Sequence, residues 1–570
     1  MRAPKALGAM AAALVAAVLV FVALTLPPSR AALEVPAWQP PTVVPGAYHV
    51  HTVRSDGAGT SEEIAAAARR AGLRFVVFTD HGDGTRAPDP PTYRSGVLCI
   101  DAVEISTNGG HYVALGLGPA PYPLGGDVRD VVEDVARLGG FGVAAHPSSA
   151  KSELRWRAWD APFDGFEWLN TDNEWRDKGA LRVARAVLNY PVRGPESLAT
   201  LFDRPERLLE RWDQTAETRH LVAVAGADAH GRLGLLGGDP YGRASWLHLP
   251  SYEASFRVFA LRVDVEKPLT GNAASDAAAL LAGLRAGHLY TAIDALAGPA
   301  AFEFTATSGP ERASEGDSLP LGGPVELRAR SNAPRGASTV LFRNGRVVRE
   351  AAGPVLSFSA EAAPAVYRVE VKLPNAPGTP PVPWVLSNPI YAGLPRSPAA
   401  VAPPERIVTR SISLLEGAGG SAWRIEDDPA SKASLIRAGG AEPALVVTGT
   451  LAGGASSRQF IALARSLGSS EAPGTRWVSF RARADRPSRL SVQLRAAGKG
   501  DGRRWRRSVY IDHTFREYSV AVDEMTPAGP GLDPHPDLNQ VDTLLFVLDT
   551  VNLQPGSQRT IRLERVRLEG

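Results

Sequence analysis

Cysteine is nearly missing from this chain: Cys99 is the only one among 570 residues. That excludes intrachain disulfides and any cysteine-based zinc cluster, so a bound metal would rest on His, Asp and Glu. Long basic runs with interleaved aromatics are missing too, and the formal net charge is only +2. Both argue against a nucleic-acid binder. There is no internal repeat and no Gly-x-Ser-x-Gly elbow, which removes one common route to a serine nucleophile. What is there is globular in balance, with 44% apolar and 21% charged residues, and long enough for about two to four domains.

The longest hydrophobic run stands at the start. Arg2 and Lys5 precede an almost unbroken apolar stretch from Ala6 to Leu26, and Pro27-Pro28-Ser29-Arg30 ends it. About 20 apolar residues suffice to span a bilayer. Residues 1–30 are therefore expected to be a signal peptide or a membrane anchor. The body of the chain is then extracytoplasmic, periplasmic or secreted, or is held at the membrane by an uncleaved helix, with the positive end left inside. Residues 31–46, rich in Pro and Ala, read as a linker.

From 47 to 299 strand and helix alternate. Tyr48–His51 is the first strand; Thr60-Ser61-Glu62-Glu63 is a capping box opening a helix to Ala71, which Gly72 ends. Strands follow at 74–79, 97–105 (carrying Glu104), 111–117 (able to pair back on it), 141–145, 163–169 and 221–225. Helices are expected at 127–138, over much of 171–218, and at 275–286. Such units predict an α/β barrel with its site at the C-terminal mouth. Residues 300–395 change to short alternating strands with an Asn344-Gly345 hairpin turn, an immunoglobulin-like β module. Residues 396–405 are a second linker, and 406–570 read as a β-sandwich of roughly ten strands.

The chemistry gathers at strand ends of the α/β part. On a regular strand His49 and His51 point to one face, as two ligands of one metal ion do. His81, His111, His146 and His230 also fall at strand ends, as do Asp56, Glu104 and Asp228. Burying nine such groups unpaired would be costly, and divalent cations remove the cost. A set with imidazole and carboxylate but no sulfur suits Zn²⁺, Mn²⁺ or Fe²⁺ better than Ca²⁺. Asp80 is expected to orient a ligand imidazole, and Asn170 is a candidate for lining the pocket. His220, His248, His288, His513 and His535 lack companions and read as structural or surface residues. Trp156, Trp159, Trp168, Trp175 and Trp212 read as core or lid packing.

His-Val-His, Ser-Asp-Gly, Thr-Asp-His, a strand-end glutamate, Ala-His-Pro and Ala-Asp-Ala-His occur in this order over residues 47–235. Together they resemble the polymerase and histidinol phosphatase (PHP) superfamily of metallohydrolases. The Ser387-Asn388-Pro389-Ile390-Tyr391 ending of the β module resembles the branch with carbaryl hydrolase-type enzymes. The resemblance implies a distorted (β/α)7 barrel with two or three divalent metal ions at its rim. It places His49, His51, Glu104 and Asp228 on a first metal, with Glu104 bridging to a second held by His111 and His146. Asp56, His81 and His230 would hold a third, although many members carry His where this chain has Asp56.

The expected activity is metal-dependent hydrolysis by an activated hydroxide, with a phosphoester as the leading substrate. Glu104, Asp228 and His230 are the candidate catalytic residues. Arg54, Asn170 and Arg232 are the candidate substrate contacts, and Lys151 and Arg193 are further cations for a phosphate. One alternative is a carbamate or carboxylic ester hydrolase. Another is an inactive protein that binds metal, or a glycan through the C-terminal sandwich, whose pattern resembles galactose-binding and carbohydrate-binding modules.

Overall fold

The computed structural model of the protein describes residues 3–232, 249–395, 406–416, 422–440, 442–454, 459–496, 502–529 and 532–570, without side chains for 3–8. The 396–405 linker and His248 lie outside the described residues. Two compact units emerge. Met1–Gly82, Ala87–Gly118 and Val132–Val401 form the first; Asp83–Arg86, Pro119–Val131 and Ala402–Gly570 form the second.

The first unit mixes helices with several sheets. A five-stranded sheet runs Val222–Gly226, Gly165–Asn170, Phe141–Ala144, Gly110–Leu115, Val103–Thr107. A twelve-stranded sheet includes Val43–Val50 flanked by Phe75–Phe78 and Ala260–Asp264. Strands are Val-, Phe- and Ala-rich and buried on both faces, as expected of strands covered by helices. The two sheets meet at the bridges Val50–Ala229 and His81–Glu104. The stretch expected to be one strand, 97–105, is two: Val97–Asp101 belongs to the large sheet and Val103–Thr107 to the small one. The chain changes sheet at Ala102, so Glu104 starts a new face.

Local signals explain the helices near the site. The capping box forms, with Thr60 and Glu63 serving each other's backbone, and Ser61–Arg70 follows. Val128–Arg137 and Ala273–Ala286 also form, the latter ending on left-handed Gly287. Residues 171–178 are turns rather than helix; helices run Ala180–Ala199, kinked at Arg193 between two prolines, and Glu206–Ala216. A five-residue helix, Tyr252–Phe256, has no counterpart in the sequence reading. Trp156, Trp168 and Trp212 are buried core residues.

The large sheet does not stop at residue 299. Leu289–Ala292 pairs with Val385–Ser387, which carries the sheet into the β module. Asn344 and Gly345, both with positive φ, close the expected hairpin between Ser338–Arg343 and Arg346–Ala352. Asn388 bonds backbone groups of Ala223 and Leu289, and Trp384 donates to the Ala297 carbonyl. A buried ionic network ties the same module to helix Glu206–Ala216. Arg368 binds both oxygens of Asp213 at 2.6 and 2.8 Å and Glu370 at 2.7 Å, while Arg204 takes Glu370 with two bonds.

Before the first sheet strand, helix Ala3–Thr25 forms. Among the described residues no helix is long and apolar enough to cross a membrane. In the segment read as a linker, Ala31–Ala32 pairs with Ala297–Gly298 and the Glu34 carbonyl accepts from Asn332.

The second unit holds two six-stranded sheets with a shared apolar core that includes Trp423, Phe480, Trp505 and Phe546. Among the described residues its strands number twelve, where about ten were expected from alternation. The two sheets face each other across that core, the arrangement of a β-sandwich.

Candidate metal centre

The site starts from a break in regularity. His49 has φ of 64°, and the pairing of the opening strand with Phe75–Phe78 shifts register between Ala47 and Val50. The two imidazoles therefore do not converge by the i, i+2 geometry of a regular strand. The left-handed turn at His49 aims them together, with ring centres 5.1 Å apart. His146 (φ 30°) and Asp228 (φ 44°) are left-handed as well. Such backbone costs of order 1–3 kcal/mol per residue and gathers at functional sites.

All nine ligand-type residues come together. His49 Nε2 and His51 Nε2 each lie 3.3 Å from Glu104 Oε2 and 3.4 Å from Asp228 Oδ1. The other oxygen, Glu104 Oε1, faces His111 Nδ1 at 2.9 Å and His146 Nε2 at 3.1 Å. Asp56 Oδ2 faces His230 Nε2 at 3.2 Å and His81 Nε2 at 3.7 Å, and His81 Nδ1 lies 3.2 Å from Glu104 Oε2. His111 reaches this rim because Gly110–Leu115 runs antiparallel to both neighbours, so its start lies where a parallel strand would end. His49, His51, Glu104 and His146 are buried, while Asp56, His81, His111 and His230 are half-buried.

The surroundings fix several imidazoles. Nδ1–H of His49 donates to Glu167, that of His146 to the Leu154 carbonyl at 3.2 Å, and that of His230 to the Asp228 carbonyl at 2.9 Å. Each bond selects a tautomer whose Nε2 turns toward the acidic centre. Glu167 was missed from the sequence. It also accepts from the His146 backbone N–H and from Asn170 Nδ2, both at 2.7 Å. Gly226 makes room for it, since a Cβ there would lie 2.3 Å from Glu167 Oε1. The one available signal was an acidic residue between the apolar Phe166 and Trp168 of strand Gly165–Asn170.

Asp80 touches no imidazole directly; it reaches His51 through Ser55 Oγ, which lies 3.4 Å from His51 Nδ1. It accepts from Thr52 N–H and Oγ1, from Ser55 Oγ and from Arg54, so it shapes the loop after His51. Arg54 binds Asp80, Asp89 and Asp101. Asn170 is buried and serves Glu167 and the Asn173 N–H rather than a pocket surface. Arg193 donates to the Pro27 carbonyl, Lys151 is exposed, and Arg232 is half-buried. Among the companionless histidines, His220 stacks on Tyr391 and His288 pairs with Asp317, both structural roles.

Charge balance follows from these distances. Burial works against charging the imidazoles, yet Asp228, Glu167 and Glu104 together hold His49 well above the ordinary imidazole range. His51, His81, His146 and His230 are raised in the same sense, each against its own burial, by the carboxylates they face. Burial would raise the carboxyls, but the imidazoles hold Glu104 and Asp228 well below their usual range and depress Asp56.

Divalent cations fit this donor set. His49 Nε2, His51 Nε2 and His81 Nδ1 are buried without a hydrogen-bond partner. With bonds of roughly 2.1 Å, donors at neighbouring corners of a tetrahedron lie about 3.4 Å apart, the separation seen from each of His49 and His51 to Glu104 and to Asp228.

No family model matches the chain, and no curated protein matches it. Among solved structures, a two-domain protein containing a predicted PHP-like metal-dependent phosphoesterase from Bacteroides vulgatus is similar at 13% identity. The match has a TM-score of 0.29 over 64% of this chain and 98% of that one. A family 11 carbohydrate-binding module of a Clostridium thermocellum cellulosomal cellulase is similar at 16% identity. It has a TM-score of 0.24 over 28% of this chain and 94% of the module. At TM-scores this low, likeness assigns neither fold nor activity, and the geometry of the cluster stands by itself.

Proposed function

We propose that the chain is an exported metal-dependent hydrolase of the PHP type, a phosphoesterase, with the cluster at the rim of a distorted (β/α)7 barrel. One observation supports this above the others: three buried imidazole nitrogens, on His49, His51 and His81, have no hydrogen-bond partner and face the carboxylates of Glu104 and Asp228. Two or three divalent cations, Zn²⁺, Mn²⁺ or Fe²⁺, would be held there. His49, His51, Glu104 and Asp228 serve the first, Glu104 with His111 and His146 the second, and Asp56, His81 and His230 the third. Bound cations would supply an acidified water and charge to offset the negative charge that develops on the substrate.

The chain's own groups do the positioning. Glu167 and the Leu154 carbonyl hold His49 and His146 in one tautomer each. Glu104 sets the two halves of the cluster at a fixed spacing, because one oxygen serves each half. His230 sits at the more open side with Nδ1–H tied to the Asp228 carbonyl. With the third position unfilled, it is the residue to hand a proton to the leaving group.

A second reading, hydrolysis of a carbamate or carboxylic ester, draws support from the cations. Arg54 is bound to three carboxylates and Arg193 to a backbone carbonyl, so neither is directed to a phosphate. For the second unit a glycan-holding role is the proposal, supported by its two-sheet architecture. The deciding experiment loads the purified chain with Mn²⁺ or Zn²⁺ and offers p-nitrophenyl phosphate, bis-p-nitrophenyl phosphate and a naphthyl carbamate. Phosphoester turnover is expected. Turnover of the carbamate alone would select the second reading, and bound cations without any turnover would leave a binding protein.

A further inference from the structure

A helix packed on a globular core normally turns its polar side to water. Helix Ala180–Ala199 does the reverse. Before the kink at Arg193 its exposed residues are Ala180, Leu181, Ala184, Arg185, Val187, Leu188, Pro191 and Val192, and only Arg185 is charged. Leu181, Val187 and Val192 are 76%, 55% and 59% exposed. At 3.6 residues per turn, Leu181, Ala184, Leu188 and Val192 fall in one stripe, with Val187 and Pro191 along its edge. The polar side chains turn elsewhere: Arg182 goes to Asp203 and to the Thr200 and Phe202 carbonyls.

A second apolar surface adjoins the stripe. From Ala9 to Leu24 helix Ala3–Thr25 is apolar on every side, and Met10, Leu14, Val15, Leu19, Val20 and Leu24 are each at least 57% exposed. A helix apolar all round belongs in a core or in lipid, and this one is not in the core. Its end is fastened to the stripe-bearing helix. Arg185 Nε donates to the Thr25 carbonyl at 2.9 Å, Asn189 Nδ2 to the same carbonyl at 3.0 Å, and Arg193 to the Pro27 carbonyl. The stripe thus lies where the apolar helix ends.

We propose that helix Ala180–Ala199 is a membrane-docking surface, lying in the bilayer interface at the foot of the N-terminal helix with Leu181, Val187, Leu188 and Val192 among the acyl chains. The partner is lipid. A protein groove would cover one face of one helix, whereas an all-round apolar helix joined to an apolar stripe calls for a fluid apolar solvent. Exposed Arg185 and Arg30 stand beside it to meet anionic headgroups. The proposal is independent of the hydrolase reading, and its test reads no catalysis.

Cys99 is buried, and burial pushes its thiol up to about 11, so a thiol-reactive dye selects an introduced cysteine. Leu188→Cys and Val192→Cys in the full chain are labelled with an environment-sensitive fluorophore and reconstituted into phosphatidylcholine–phosphatidylglycerol vesicles. The label on Val347→Cys, an exposed position of the β module, is the control. The expected result is emission at shorter wavelength at 188 and 192 than at 347, quenched by spin-labelled lipid and protected from iodide. Labels at 188 and 192 that behave like the control while the chain stays on the vesicles would overturn the proposal. So would a shift that appears without vesicles together with 188-to-188 cross-links, which would give the stripe to a second copy. Val187→Cys provides the same readout should either variant misfold.

Discussion

The first unit buries two clusters of charged side chains, and they are finished in different ways. Around Arg368 the guanidinium, Asp213 and Glu370 satisfy one another, and Arg204 closes the set. Burial works against the charge of Arg368, yet Asp213 and Glu370 raise its pKa further. Around Glu104, by contrast, three imidazole nitrogens have no hydrogen-bond partner, and three ligand-type residues hold left-handed backbone. A self-satisfied buried network needs nothing more and holds structure in place. A convergent, unsatisfied one is a receptacle. Composition cannot tell the two apart; the partner of each atom does.

The largest expected effect falls on the second kind. Glu104→Ala removes the two oxygens that face five imidazoles. Bound cations per chain should fall in elemental analysis, and turnover should drop beyond the roughly 10–100-fold typical of residues one bond further from a metal. Unchanged metal content and rate would put both clusters in the same class. Asp213→Ala tests the first kind. It should cost about 3–5 kcal/mol in denaturant unfolding by stranding Arg368, with cation content unaltered; a loss of cations would blur the distinction.

Glu167→Ala should weaken cation binding by roughly 10–100-fold in chelator competition. Glu167→Gln, which still offers an oxygen to His49 Nδ1–H, should recover part of it. Equal losses in the two would make Glu167 a matter of packing only. The smallest effect is pH dependence. Facing carboxylates raise His49, His51, His81, His146 and His230 against their burial. Their stabilising contribution to the cation-free protein is full below about pH 6.5 and is lost as pH rises through the raised values. Cations compete with those same protons. The gain in Tm on adding Mn²⁺ should therefore grow with pH across that range, and a gain that shrinks would contradict the assignment.

Much of this was legible where a local rule decides. The capping box at Thr60, the Asn344-Gly345 hairpin and the return of residues 111–117 onto Glu104's strand all follow from short-range patterns. The order of His, Asp and Glu residues at strand ends gave the cluster's membership. What stayed hidden needs partners far apart in the chain. The change of sheet at Ala102 is marked only by the single Asp101 before it, in a stretch that otherwise reads as one strand. Left-handed His49 looks like an ordinary strand residue until its register is known. Glu167 becomes meaningful only when His49, 118 residues away, is beside it. The setting of Arg54 stayed hidden because three acidic groups from separate segments meet at one guanidinium.

The continuous sheet across residue 299 has a practical corollary. Composition changes there, and a truncation would naturally be cut at that point. Such a fragment would lose Val385–Ser387, baring the ladder side of Leu289–Ala292 along a strand whose residues are all buried in the full chain. Bare ladders of that sort recruit other chains. A catalytic fragment ending at 299 is thus expected to precipitate or to pair with itself, whereas one ending after Ala392 keeps its border closed.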